Sequence, residues 1–274
     1  MKVLRMFLGL VLVIVGVFAV VSIYLYFNQK NMMFYPTKDL AVTPGDINIA
    51  FEDVFIDTSD RARLHAWYVQ PQTESKKVVL FCHGNAGNIS HRLETVEFLY
   101  NRGVNVLIFD YRGYGRSTGE PDEDGLYADA TACYEWLKQG RGFSPDSIYI
   151  FGRSLGGAVA IELATKVPCA ALIVESSFTT AAEMADKIFP ILPTRLLLKY
   201  EFRSIDKIDR VNCPLLVTHS PDDDLVPFEM GRALFERANE PKEFVELFGG
   251  HNDRGYINSP PYVEAFKRLF ATTQ

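Results

Sequence analysis

One serine of this chain stands in a sequence setting that suits a nucleophile. Ser154 lies in GRSLG (residues 152–156), which fits the pattern G-x-S-x-G. An apolar run, 148–151, precedes this motif, and a run with helical character, 158–163, follows it. A sharp turn between a strand and a helix exposes a serine hydroxyl beside a helix N-terminus, which favours developing negative charge. We therefore predict that Ser154 is acylated in a hydrolytic reaction, although an ordinary glycine-rich turn would also fit the bare pattern.

His251 is the histidine best placed to act as the base that such a serine needs. The chain has five histidines, and His251 follows the last predicted strand, 242–247, within the sequence GGHND. The small residues around it would let a loop carry the imidazole over the edge of a sheet. The alternative interpretation is a polar loop histidine with no part in catalysis.

The acid that orients this imidazole is predicted to be Asp223. It is the middle one of three successive aspartates, 222–224, which follow the penultimate predicted strand. The order Ser154, Asp223, His251 along the chain is the order of one known class of catalytic triads. We interpret the other two aspartates as parts of a solvated turn. Glu175, which closes an earlier strand, is the reserve candidate for the acid.

Acyl transfer also needs two donors for the oxyanion that develops on the attacked carbonyl. One donor should be the backbone N–H of Leu155, the residue after the nucleophile. The other should come from the loop HGNAGN (83–88), from Asn85 in preference to Ala86. The alternative is that the glycines of this loop only shape a turn into a helix capped by Asn88.

The elements that must position these residues alternate along the chain. Short apolar strands alternate with helical stretches, which predicts a mostly parallel central sheet with helices on both faces. Chemistry in such a sheet is expected at the carboxyl ends of the strands. The first two strands should form an antiparallel pair. The predicted strands are 51–58, 63–69, 77–82, 104–110, 147–151, 170–174, 213–218 and 242–247, and the predicted helices are 89–101, 125–139, 156–166, 230–238 and 262–272.

The predicted strands 170–174 and 213–218 are separated by an insertion. The central sheet does not require a connection of this length. Residues 178–210, called the lid segment below, are rich in large apolar side chains, including Phe189 and Leu197. Pro190 and Pro193 should break the lid segment into short helices. Its apolar residues could line a pocket above Ser154 for an acyl group, or they could only pack down on the sheet.

The N-terminal segment is predicted to be a transmembrane helix. Residues 6–27 hold 22 positions without a charge, or about 33 Å of helix, which is enough to cross a bilayer core of about 30 Å. A cleaved signal peptide would have a shorter apolar region and a small-residue cleavage site. We therefore predict an anchor over 1–30, a linker over 31–49 and a single catalytic domain over 50–274.

The distribution of charge around that helix bears on the topology of the protein. Lys2 and Arg5 precede the apolar run, and Lys30 and Lys38 follow it. With the amino terminus, this bias favours a cytoplasmic N-terminus and an extracytoplasmic domain, which would be the periplasmic side of the inner membrane in a bacterium.

Composition excludes several other classes of protein. The formal net charge is -6 although the first thirty residues carry no acid, so the body is acidic and unsuited to nucleic acid. The four cysteines are widely spaced with no CxxC pair, which predicts neither a zinc site nor a disulfide scaffold. We expect no metal and no cofactor.

Several of these motifs together resemble the α/β-hydrolase superfamily. More narrowly, residues 50–273 resemble its membrane-anchored, serine-aminopeptidase-like branch. That branch places its acid in a pattern like H-G-x-x-D-x-x-V-P, which residues 219–227 match with Asp223 in the acid's place. The match departs from the pattern at Ser220, where the family usually has glycine. The motifs that carry the resemblance are HGNAGN (83–88), DYRGYG (110–115), GRSLGG (152–157), Asp223 with Val226-Pro227, and Gly250-His251.

The resemblance implies the α/β-hydrolase fold, with the lid segment as a short insertion. It implies a membrane-anchored serine hydrolase with a Ser-His-Asp triad, but members of the branch are esterases, thioesterases, lipases or peptidases, so the resemblance does not choose among them. From the apolar residues of the lid segment we predict cleavage of carboxylic ester or thioester bonds of a small-molecule or lipid-like acyl substrate. A serine aminopeptidase or amidase is an alternative within the same branch. A non-catalytic binding protein that reuses the fold is a further alternative.

Overall fold

A computed structural model describes residues 2–271 of the chain. The last three residues of the predicted domain, 272–274, lie outside the described part, and so does the predicted end of the final helix at 272.

Within residues 2–271, eight strands form one sheet in the order β1-β2-β4-β3-β5-β6-β7-β8. Strand β2 runs antiparallel to β1 and β4, and the pairs from β4 to β8 are parallel. Every residue of β3 to β7 is buried, which is why these strands are continuous apolar runs in the sequence. The mostly parallel sheet and its antiparallel first pair are therefore confirmed. The strands are β1 (Phe51–Asp57), β2 (Arg63–Val69), β3 (Val78–Cys82), β4 (Asn105–Phe109), β5 (Ile148–Arg153), β6 (Ala171–Glu175), β7 (Leu215–His219) and β8 (Lys242–Glu246).

Helices cover both faces of this sheet. Side chains of α3, α4 and α7 pack with one set of strand residues, and those of α2 and α8 pack with the alternate set. In β3, for example, Leu80 belongs to the first layer and Phe81 to the second, as the two-residue period of a strand requires. The helices are α1 (Lys2–Met33), α2 (Leu93–Tyr100), α3 (Glu123–Glu135), α4 (Leu155–Ala164), α5 (Ala181–Ile188), α6 (Thr194–Leu197), α7 (Phe228–Arg237) and α8 (Pro260–Ala271).

The predicted helix boundaries shift where a side chain caps the helix. Helix α3 starts at Glu123, before the predicted start at 125, because the Asp122 carboxylate accepts the Gly125 N–H at 2.7 Å. The predicted helix 89–101 begins instead with a 3-10 turn, Ile89–Arg92, which the Asn88 side chain caps.

Between β6 and β7, the lid segment holds two short α-helices, α5 and α6, and two 3-10 turns, Ser204–Asp206 and Ile208–Arg210. Pro190 and Pro193 lie in the stretch that separates these helices. The Thr180 hydroxyl accepts the Glu183 N–H at 3.0 Å and so caps the start of α5.

Helix α1 is the one helix in residues 2–271 that is long and apolar enough to cross a membrane, with a mean hydropathy of 3.0 in its most apolar window. It continues to Met33, beyond the predicted end of the anchor at residue 30. The segment 31–49 that follows lies against the body: Phe34 is buried against Tyr200 and Phe202, and Pro36 forms a β-bridge with Gly87.

The four cysteines are free thiols. Because β6 and β7 are neighbours, Cys169 and Cys213, which precede these strands, come together with their Sγ atoms 3.1 Å apart.

Candidate active site

Ser154 occupies a strained turn between β5 and α4. Its backbone has φ 55° and ψ -121°, a conformation that L residues avoid and that such turns impose on their serine. A Cβ on Gly156 would overlap the carbonyl oxygen of Cys82, and one on Gly152 would overlap the Gly156 carbonyl. The flanking glycines are thus required by the close approach of β3 and α4 to the turn.

Three predicted residues form a hydrogen-bonded line at the carboxyl edge of the sheet. The Nε2 atom of His251 lies 3.1 Å from Ser154 Oγ, and its Nδ1 atom lies 2.8 Å from Asp223 Oδ2. Ser154 is 8% exposed and His251 4%. A base within hydrogen-bond reach of a hydroxyl, itself held by a carboxylate, can take up and return that hydroxyl's proton.

Asp223 is held as an anion by its surroundings. Its Oδ1 atom accepts the N–H groups of Leu225 at 2.9 Å and Val226 at 2.7 Å, and its Oδ2 atom also lies 3.3 Å from His219 Nε2. Burial alone would raise the pKa of this carboxyl, but the hydrogen bonds from His219 and His251 outweigh it and hold the pKa well below its ordinary value. Asp223 is therefore ionised at neutral pH.

Asp224 has a contact that the sequence analysis missed. Its Oδ1 atom accepts the backbone N–H of His251 at 2.7 Å, and the Arg153 guanidinium donates to the carbonyl oxygen of His251. Asp222 and Asp224 are both exposed, as expected of a solvated turn, but Asp224 in addition holds the backbone of His251. No pattern in the sequence marks Asp224 for this contact, because only the path of the loop 249–253 brings it to the His251 backbone.

Glu175, the reserve candidate for the acid, lies in a different buried cluster. It accepts hydrogen bonds from Tyr256 at 2.8 Å and Tyr262 at 2.6 Å, and it forms an ion pair with Arg153 at 3.2 Å. Since Arg153 in turn donates to the His251 carbonyl, Glu175 is connected to the site through Arg153.

The remaining three histidines, His65, His83 and His91, lie outside this hydrogen-bonded line. Burial lowers the pKa of His83 to about 3, so this ring is neutral. His65 bonds to Asp53 and Asp110, and His91 accepts the backbone N–H of Asn88 at 3.2 Å.

The two predicted oxyanion donors border the same cavity as Ser154. The Leu155 N–H is at the first position of α4, where the helix itself supplies no acceptor. The Asn85 side chain has partners away from Ser154: its amide donates to the Met33 carbonyl, and its Oδ1 atom accepts from Tyr114 at 2.8 Å. The backbone N–H is therefore the candidate donor of Asn85 for an oxyanion.

A cavity of about 490 Å³ opens at Ser154, within the size range of small-ligand pockets of about 300–1,000 Å³. Most of its wall is apolar and comes from the lid segment and from the end of α1. A larger hollow of about 1320 Å³ lies beside α3 and is lined by none of the three residues of the hydrogen-bonded line.

The charged residues of the 490 Å³ cavity are all basic. Among its described lining residues there is no Asp or Glu, whereas Arg92 and Arg153 are present. The Arg92 guanidinium donates to the carbonyls of Ala86 and Gly84, and no carboxylate within residues 2–271 lies within 4.0 Å of it. Since Arg153 is paired with Glu175, Arg92 is the positively charged lining residue without such a carboxylate partner among residues 2–271.

Known proteins resemble the chain in sequence. A family model described as serine aminopeptidase, S33, matches residues 73–204. An uncharacterized protein of Mycobacterium tuberculosis (strain ATCC 25618 / H37Rv) is 39% identical over 92% of this chain and 91% of its own length. The alpha/beta hydrolase domain-containing protein WAV2 of Arabidopsis thaliana is 32% identical over 81% of this chain and 80% of its own. The lysophosphatidylserine lipase ABHD12 of Macaca fascicularis is 35% identical over 69% of this chain and 53% of its own length.

Solved structures share the fold. The esterase Pf2001 of Pyrococcus furiosus superposes with a TM-score of 0.74 at 23% identity, covering 87% of this chain and 99% of that one. Est1E of Butyrivibrio proteoclasticus, solved with ferulic acid, gives a TM-score of 0.68 at 21% identity over 80% of this chain and 98% of that one.

Proposed function

The chain belongs to the α/β-hydrolase superfamily and is a serine hydrolase, and on that premise we propose that it cleaves ester or thioester bonds of acyl substrates through a Ser154–His251–Asp223 triad. The observation that carries the proposal is the position of Ser154 Oγ, bonded to His251 at 3.1 Å, on the wall of a mostly apolar cavity. An acyl chain in that cavity would bring its carbonyl carbon to the serine.

In the proposed reaction, Ser154 Oγ attacks the acyl carbonyl while His251 Nε2 takes the hydroxyl proton. The N–H groups of Leu155 and Asn85 bind the oxyanion. His251 then gives the proton to the leaving alcohol or thiol, and an acyl-serine ester remains. Water, deprotonated by the same histidine, hydrolyses that ester. Asp223 keeps a proton on Nδ1 of His251 and stabilises the imidazolium that forms in each half-reaction.

The alternative function as a serine aminopeptidase is less well supported by the charges of the cavity. An aminopeptidase must bind the free ammonium group of its substrate close to the scissile bond, which calls for a carboxylate. The described cavity lining holds no carboxylate and offers the guanidinium of Arg92 instead, which repels a cation. The name of the macaque relative, a lysophosphatidylserine lipase, points to single-chain lipids as the class of substrate to test first.

We expect the rate to depend on the length of the acyl chain. Each buried methylene contributes up to about 0.8 kcal/mol, or roughly a fourfold gain, so kcat/KM should rise from acetyl to octanoyl esters. Leu197→Asp and Phe189→Asp place a charge in the cavity wall and should erase this rise. Ile191→Asp is the matched control, because Ile191 lies in the same segment but is 87% exposed and outside the lining. Kinetics with p-nitrophenyl esters measure the profile, and a flat profile or a preference for aminoacyl amides would contradict the acyl assignment.

We further propose that α1 is a single-pass anchor with the hydrolase domain on the extracytoplasmic side. The uncharged run 6–27 supports the span, and Lys2 and Arg5 before it support the orientation. Protease added to intact spheroplasts of an expressing bacterium should digest the domain, while a cytoplasmic marker protein stays intact. Digestion only after lysis would reverse the orientation.

A further inference from the structure

One face of α1 is part of the cavity wall. Leu25, Gln29, Met32 and Met33 line the cavity together with Ser154 and His251. Their spacing of four, three and one residues puts all four on one side of a helix. The predicted anchor therefore reaches the cavity in which we place the acyl chain.

Gln29 holds this face of α1 to the lid segment. It is 8% exposed, its Nε2 atom donates to the Leu197 carbonyl at 2.6 Å, and its Oε1 atom accepts the Lys199 N–H at 2.8 Å. A buried amide must be hydrogen-bonded, and here both of its ends are matched by backbone groups. These two hydrogen bonds of Gln29 thus hold α1 against α6 and the residues that follow it.

The end of α1 is also bonded to the loop that carries Asn85. The Asn85 amide donates to the Met33 carbonyl, the Gly87 N–H donates to the Tyr35 carbonyl at 2.9 Å, and the Thr37 N–H donates to the Gly87 carbonyl at 3.0 Å. Helix α1 is therefore bonded both to the lid segment and to the loop 83–88, which carries Asn85, and these two segments line the cavity.

The depth of these residues relative to the apolar run indicates where the cavity opens. Leu25 lies within the last turn of the uncharged run 6–27, and Met33 lies about 9 Å beyond that run at about 1.5 Å per residue. The α1 side of the cavity thus begins at the edge of the proposed bilayer core. Ile188 of the lid segment, which also lines the cavity, is an exposed apolar residue, as expected of a surface that meets lipid.

We propose that the end of α1 is a substrate-binding element, and that the substrate is a single-chain acyl ester that enters from the same bilayer in which α1 is anchored. This inference rests on the proposed function and adds to it the source and the route of the acyl chain. The chain would pass from the leaflet along Leu25 and Gln29 to Ser154, with no transfer through water. A soluble ester that reaches the cavity from the aqueous side is the competing occupant.

The test uses the full-length protein in phosphatidylcholine vesicles with a palmitoyl ester of a fluorogenic phenol. The ester is placed either in the same vesicles as the enzyme or in separate vesicles, and p-nitrophenyl acetate is the soluble reference. If the substrate enters from the bilayer, the initial rate for the palmitoyl ester should be at least about tenfold higher in the same vesicles than in separate vesicles. In the separate arrangement the ester must first desorb into water, which is slow for a long apolar chain. Equal rates in the two arrangements would overturn the proposal.

A pair of variants tests the wall itself. Leu25→Trp fills the α1 side of the cavity and should lower the ratio of palmitoyl to acetyl kcat/KM by about tenfold, equivalent to losing the burial of roughly two methylenes. Ile23→Trp puts the same side chain about 160° around the helix, at a position that is exposed and outside the lining, and should leave the ratio unchanged. Equal effects of the two variants would overturn the proposal.

Labelling with a fluorophosphonate separates failure of this inference from failure of the proposed function. If the parent protein does not react at Ser154, the proposed function fails. If Ser154 reacts and Leu25→Trp leaves the palmitoyl-to-acetyl ratio unchanged, only the assignment of α1 as a binding element fails.

Discussion

Replacement of Ser154 by alanine should lower kcat by about 10⁴-fold or more, and His251→Ala should have an effect of similar size. Either change removes the acylation route, since the hydroxyl cannot react without the base and the base has nothing to activate without the hydroxyl. The double variant should lose little more than either single variant, because the residues of a triad act as a unit. Steady-state hydrolysis of a p-nitrophenyl ester measures all three.

Ser144→Ala is the matched control for this series. Ser144 is an exposed serine that precedes β5, at the end of the strand opposite Ser154, and its variant should keep full activity. Thermal unfolding of each variant checks that the fold is retained. Substantial activity in Ser154→Ala would show that another residue is the nucleophile.

Substitution of the acid should give the second large effect. Asp223→Asn leaves the imidazole without an anionic partner and favours the wrong tautomer, so kcat should fall by about 10⁴-fold. Asp224→Asn should have a smaller effect, because Asp224 holds only the backbone N–H of His251. Asp222→Asn should be nearly silent, since Asp222 is exposed.

The three aspartate variants control for one another, because they make the same chemical change in adjacent positions. A severe loss in Asp222→Asn with an active Asp223→Asn would refute the assignment of the acid. If all three variants kept their activity, Glu175 would again be the candidate, despite its bonds to Tyr256 and Tyr262.

The sequence predicted the sheet and the line of three residues well, for a physical reason. Parallel strands buried on both faces must be apolar throughout, so β3 to β7 stand out as short runs between helices. The turn at Ser154 leaves a local signal, since close backbone approach allows only glycine at 152 and 156. The chain order of Ser154, Asp223 and His251 then follows from the order of the strands that carry them.

The position of α1 could not be predicted in the same way. Almost every residue of this helix is apolar, so its sequence does not mark which face meets the body. The contact of Gln29 with Leu197 joins residues 168 positions apart, and the partner is a backbone group that has no sequence signature. From the sequence alone, Gln29 is only one of several polar residues expected at the membrane interface.

The roles of Asp224 and His219 were missed for a related reason. Both are set by the path of loops: one carboxylate meets the backbone N–H of His251, and one imidazole at the end of β7 meets Asp223 four residues later. The pattern of residues 219–227 marks Asp223 as the acid, but it carries no information about these further contacts of Asp224 and His219.

The central claim, that Ser154 is an activated nucleophile, is tested most directly by a fluorophosphonate probe followed by mass spectrometry of the labelled peptide. We predict labelling at Ser154 alone, abolished in Ser154→Ala and strongly slowed in His251→Ala. No labelling of the folded parent protein, or labelling that persists in Ser154→Ala, would contradict it.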